Sequence, residues 1–179
     1  MKRVIALCAL VALAGAAAAC DGDTPTTPTT PTPDNTPQPV YSVTLSPASE
    51  VPPITGSEAS GSATATLTFN LTKDAGGVTA AATLDVTVNA SGFPAGTALT
   101  ASHIHPGDAG SNGGVLVSLG LTAGEVTFPT GSGSFTKRGV TMTVDQASAI
   151  IANPAGFYLN IHTAGNPNGV ARGQLTRVN

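Results

Sequence analysis

Four segments of this chain alternate between an apolar residue and a small polar one, most often threonine: Tyr41–Leu45, Ala63–Phe69, Thr83–Val88 and Val140–Val144. A period of two puts each set of side chains on its own face of a strand. These segments therefore read as half-buried antiparallel strands with a solvated outer face. Threonine suits that outer face, being both polar and β-branched. Turn signals separate the runs at Asp74-Ala75-Gly76-Gly77, Gly92-Phe93-Pro94-Ala95-Gly96, Asn112-Gly113-Gly114 and Asn168-Gly169. About eight to ten short strands at this spacing predict an all-β fold, a Greek-key-like antiparallel sandwich or barrel. One short connecting helix is expected over 146–152, capped by Asp145 and stopped by Asn153-Pro154.

The N-terminus reads as an address. Lys2 and Arg3 precede an apolar run from Val4 to Leu13, then the small-residue tract Gly15 to Ala19 leads to Cys20. The run is too short for a transmembrane helix, which wants roughly 20 apolar residues, and has the length of a signal h-region. Residues 1–19 are expected to be a lipoprotein-type signal peptide, with Cys20 lipidated as the first mature residue. Ordinary cleavage in the alanine run, giving a secreted protein with a free thiol, is the alternative. Residues 20–39 are rich in threonine and proline and form an extended, polyproline-like tether. Residues 40–179 then form a single β domain.

That domain contains no cysteine, so its core must hold it without disulfides. Between residues 40 and 179 there are seven acidic and five basic residues, which leaves no basic patch for nucleic acid. No G-x-S-x-G elbow occurs, and Asp and Glu are sparse and isolated. With five Phe, two Tyr and no Trp, a sugar-stacking platform is unsupported as well.

Side-chain chemistry concentrates in a segment that occurs twice. Ser102-His103-Ile104-His105-Pro106-Gly107 and Leu159-Asn160-Ile161-His162-Thr163-Ala164-Gly165 each run from Ile-His through a Gly/Asn-rich loop to Asn-Gly and Val. All three histidines lie in these units. In strands, His103 and His105 share a face opposite Ile104, while Tyr158, Asn160 and His162 share a face opposite Phe157, Leu159 and Ile161. If the units are neighbours, three imidazoles can converge on Zn or Cu and leave a fourth position for water. If they are apart, each ring caps its turn through a backbone carbonyl or a carboxylate such as Asp108. Imidazole nitrogens within about 3–4 Å of one another would mark a site, because metal–nitrogen bonds are about 2 Å long. Arg172, Gln174, Asn160 and Tyr158 are further structural or ligand-contact candidates, and Glu50 could pair with Arg172 by charge.

The stretch from Tyr41 to Leu175 resembles a CHRD (chordin) domain. The resemblance is carried by Leu45-Ser46-Pro47-Ala48-Ser49-Glu50-Val51-Pro52-Pro53, by Ala101–Gly107, and by the closing Phe157–Thr163 with Asn166–Leu175. Ala171 stands where the family commonly has Ile. The resemblance implies an all-β extracellular domain of the kind found in bacterial secreted proteins and lipoproteins, without a defined activity.

The expectation is therefore a non-enzymatic domain anchored in the cell envelope, periplasmic or at the cell surface. It would meet the membrane through its lipid and an extracellular protein or ligand through the domain, with no nucleic-acid partner. The alternative is a Zn or Cu domain using His103, His105 and His162 for metal handling or redox defence. A dismutase-like enzyme is the remote variant, since that chemistry needs more histidines than three.

Overall fold

The computed structural model describes residues 36–179 and the backbone of Thr32–Pro33. The signal segment 1–19, Cys20 and most of the tether lie outside the described residues. Two antiparallel sheets pack into a sandwich. The first follows the order β11 (Thr176–Arg177), β2 (Val40–Leu45), β3 (Ser62–Lys73), β4 (Thr79–Ser91) and β8 (Gly133–Met142). The short β1 (Thr32–Pro33) adds to the far end of β3, so the last part of the tether joins the sheet. The second sheet follows β10 (Ala171–Gln174), β9 (Phe157–Thr163), β5 (Thr97–Pro106) and β6 (Val117–Ser118), with β7 (Thr127–Phe128) also paired to β5.

The alternating segments become strands with the expected parity. In β3 the apolar set Ala63, Ala65, Leu67 and Phe69 is buried, while the threonines between them face outward. Leu84, Val86 and Val88 of β4 join Leu99, Ile104, Leu159 and Ile161 of the opposing sheet in one core. The helix α1 (Val144–Ala152) adds Ala147 and Ile150 to it. Asp145 is not its cap, contrary to the sequence expectation. Thr143 caps it, accepting from the Gln146 N–H while the Gln146 side chain accepts from the Thr143 N–H. This reciprocal box satisfies two end groups at once and outcompetes a cap two residues later. The helix ends at Asn153, as the following proline requires.

Two features place the functional face. The first is a bulge in β5. Leu99 pairs with Thr163 and Ala101 with His162, so Thr100 is the extra residue. One extra residue reverses the side-chain alternation. Leu99 and Ile104 therefore both reach the core, and His103 and His105 turn to the opposite face. The second is the bridge between Ser46 and Arg172, whose backbones exchange hydrogen bonds of 3.0 and 3.3 Å. It ties the end of β2 to β10 and brings the loop after β2 over the second sheet.

Candidate metal centre

The two His-containing units are neighbouring antiparallel strands. Across β5 and β9, His103 pairs with Asn160, His105 with Tyr158, and Ala101 with His162. On the other side of β9, Arg172 of β10 pairs with Asn160. The shared register puts all three imidazoles, Asn160 and Arg172 on the sheet face that points away from the core. That face is not open to solvent: Tyr158, Asn160 and His162 on it are all buried, because loops fold over them.

The convergence is close. One ligand atom from each of His103, His105 and His162 lies within 4.8 Å of the other two. His103 Nδ1 is 3.0 Å from His162 Nε2. Asn160 Oδ1 is 2.9 Å from His162 Nε2 and 3.1 Å from His105 Nε2. A tetrahedral ion with bonds of about 2.0–2.1 Å separates its ligands by roughly 3.3 Å; the pairs at 3.0, 2.9 and 3.1 Å lie near that value, while the widest imidazole separation, reaching 4.8 Å, lies beyond it.

Backbone carbonyls decide which nitrogens face inward. His162 Nδ1 lies 2.9 Å from the Pro167 carbonyl, and His105 Nδ1 lies 3.0 Å from that of Gly113. A carbonyl only accepts, so each Nδ1 carries the proton and donates it. In the neutral rings, both Nε2 lone pairs then point into the cluster. Metal-bound histidines are oriented in this way, by a second hydrogen bond from the remote nitrogen. Gly113 must be glycine here, since a Cβ would come within 1.8 Å of the Pro106 carbonyl.

Electrostatics favours the neutral form of His103 and His162. Burial pushes His103 down to about 4, helped by the charges that His162 and His105 would carry. Burial also lowers His162, against the opposing pull of the Pro167 carbonyl. Neutral imidazole is the form that binds metal. Nearby, burial raises Glu50 to about 7, against the attraction of Arg172.

The remaining candidates build the walls. The Tyr158 ring stacks on His105 with centroids 5.0 Å apart, and the Arg172 guanidinium lies 4.5 Å from the Tyr158 centroid. Arg172 donates to the Ser49 carbonyl (2.6 Å), the Ser111 carbonyl (3.0 Å) and Asn112 Oδ1 (2.9 Å). Gln174 Nε2 donates to the carbonyls of Gly107, Ala155 and Phe157. Both residues thus clamp loops. Arg172 and Glu50 form no direct ion pair: Arg172 Nη2 and Glu50 Oε1 are each buried without a hydrogen-bond partner. The loops leave a cleft of about 580 Å³ lined by 50–55, Asn112 and 165–169, next to the turn that holds His162.

The structure brings His103, His105, His162, Asn160, Tyr158, Arg172 and Gln174 together on one face of one sheet, a convergence that the sequence left open. Asp108 is not a ring partner; it is exposed, and backbone carbonyls take its place. The turn-capping and convergent readings, set against each other in the sequence, hold together: each ring that anchors a loop with one nitrogen presents the other to its neighbours. Backbone carbonyls were expected as ring partners without being identified; they are those of Gly113 and Pro167. Their signal was the Asn-Gly loop that follows His in both units.

The family model of the CHRD domain matches residues 41–175. No curated protein and no solved structure matches the chain.

Proposed function

The chain belongs to the CHRD domain family, and from that premise we propose that it is a non-enzymatic, extracytoplasmic binding domain whose ligand is a divalent transition metal. The export signal and the Cys20 anchor read from the sequence support an envelope location, with the domain held off the membrane by its Thr/Pro tether. The observation that carries the metal reading is the grouping of three imidazole donors within 4.8 Å. Nitrogen donors of this kind suit Zn²⁺ or Cu²⁺. The sparse carboxylates and the cysteine-free domain favour holding an ion over turning over a substrate.

The test is elemental analysis of protein purified without a polyhistidine tag, followed by thermal melts with and without Zn²⁺ or Cu²⁺. The reading expects stoichiometric metal and a melting temperature that rises with metal concentration. It fails if the protein takes up neither ion. A second reading is favoured by the bonds from His105 and His162 to the Gly113 and Pro167 carbonyls: the histidines act only as loop anchors in a structural domain. It expects His→Ala variants to lose stability while metal has no effect on the wild type.

A further inference from the structure

Asn160 sits at the centre of the cluster and is 1 % exposed. Its Oδ1 faces His162 Nε2 at 2.9 Å and His105 Nε2 at 3.1 Å. Both nitrogens present lone pairs, because their rings donate through Nδ1 to carbonyls. Three electron-rich atoms this close repel one another unless a positive centre lies between them. Without an ion, His103 Nδ1 can donate to His162 Nε2 at 3.0 Å, but no N–H is left between Asn160 Oδ1 and the two Nε2 lone pairs, and it is this pairing that suits ligands around an ion.

The other end of the amide explains its orientation. A Cβ built on Gly169 would lie 2.5 Å from Glu50 Oε1 and 2.9 Å from Asn160 Nδ2, so both atoms border the space that this glycine leaves open. Gly169 also has φ of +134°, a conformation other residues avoid. Glu50 is 6 % exposed and its Oε1 has no hydrogen-bond partner. Glu50 makes no hydrogen bond to the amide, but a negative charge on this side favours the N–H end there, which leaves the oxygen pointing at the imidazoles. The backbone of Asn160 is fixed too, its carbonyl accepting from Ser102 Oγ at 2.8 Å.

We infer that Asn160 is the fourth ligand of the centre through Oδ1, and that Glu50 is the positioning residue that keeps this oxygen turned inward. This rests on the metal reading above and deepens it. A donor set of three nitrogens and one amide oxygen selects a divalent ion such as Zn²⁺ or Cu²⁺ over Cu⁺, which prefers softer sulfur ligands.

The experiment measures Zn²⁺ affinity by chelator competition, and the visible spectrum of the Co²⁺-loaded protein, on the full chain without a polyhistidine tag. Asn160→Ala is expected to weaken Zn²⁺ at least tenfold and to change the Co²⁺ spectrum, which reports the ligand set directly. Glu50→Gln is expected to weaken Zn²⁺ by about 10–100-fold, the range for outer-shell partners. Asn160→Asp combined with Glu50→Gln re-creates an inward oxygen beside an amide N–H and is expected to regain most of the affinity. That rescue separates positioning from a general loss of structure. Wild-type affinity and an unchanged Co²⁺ spectrum in Asn160→Ala would overturn the inference while leaving a three-histidine site standing. A wild type that binds neither Zn²⁺ nor Co²⁺ would overturn the inference and the metal reading together. If Asn160→Ala does not fold, the single and double Glu50 variants decide, and no rescue counts against the proposal.

Discussion

His103 and His162 stand 59 positions apart, yet their Nδ1 and Nε2 atoms lie 3.0 Å apart across β5 and β9. The two rings are held differently. His162 also donates to the Pro167 carbonyl and is buried, whereas His103 is only half-buried. Their alanine variants should therefore separate ligation from loop anchoring. His162→Ala removes a carbonyl's donor and is expected to cost about 1–3 kcal/mol in denaturant unfolding without metal. His103→Ala should cost less, but should abolish the metal-dependent rise in melting temperature just as fully. If metal stabilises His103→Ala as much as the wild type, His103 is not a ligand.

The bulge at Thr100 yields a structural prediction. Removing Thr100 restores uninterrupted alternation after Leu99, so His103 and His105 would turn into the core and Ile104 out of it. Two buried imidazoles without partners cost more than a domain of this size can lose. The deletion variant should show no cooperative thermal transition by circular dichroism. A Thr100→Ala control keeps the bulge and should melt within a few degrees of the wild type.

Which parts of this were legible depended on how local the physics is. The strands could be read because period-two alternation is written directly in segments such as Ala63–Phe69, and the helix stop because Pro154 allows little else. The pairing of the two His units was suggested by their repetition but not determined by it, since register across 59 positions is a tertiary property. The helix start was misjudged by two residues because Thr143 and Asp145 are both good caps, and only the reciprocal contact with Gln146 decides between them. Charge complementarity paired Glu50 with Arg172. The loop carbonyls of Ser49 and Ser111 compete for the guanidinium, and such geometry is not encoded in composition.

Gly113 gives a sharper test of the loop over the site. Gly113→Ala would press a methyl group onto the Pro106 carbonyl and displace the carbonyl that holds His105 Nδ1. Expected is a loss of stability of about 2–4 kcal/mol, in the range of overpacking combined with a broken buried hydrogen bond. Nearby Gly114 has open space around its Cα, so Gly114→Ala should be nearly neutral. Equal melting temperatures for the two variants would mean that the loop does not hold His105.

Glu50 should leave a mark on the pH dependence of the metal-free protein. Its proton is bound more tightly in the fold, with about 7 against an ordinary 4.5, because burial disfavours the carboxylate more than Arg172 helps it. Glu50 thus contributes stability below pH 4.5 that is lost as pH rises to 7. His103 runs the other way. Lowered from 6.5 to about 4, it contributes stability above pH 6.5 that is lost as pH falls toward 4, and His162 is shifted in the same direction. The two slopes overlap, so the wild type should change little between these limits, tilting upward by the share of His162. Glu50→Gln removes the falling limb and leaves the rising one. Its stability relative to the wild type should therefore grow through this window and be highest, relative to the wild type, at neutral pH. Urea unfolding of both proteins with chelator present, at steps of pH, measures the difference. Parallel curves would show that Glu50 is not desolvated in the fold. A gain in stability together with weaker Zn²⁺ binding in the same variant would identify the buried carboxylate as a group kept at a cost to the fold for the site it serves.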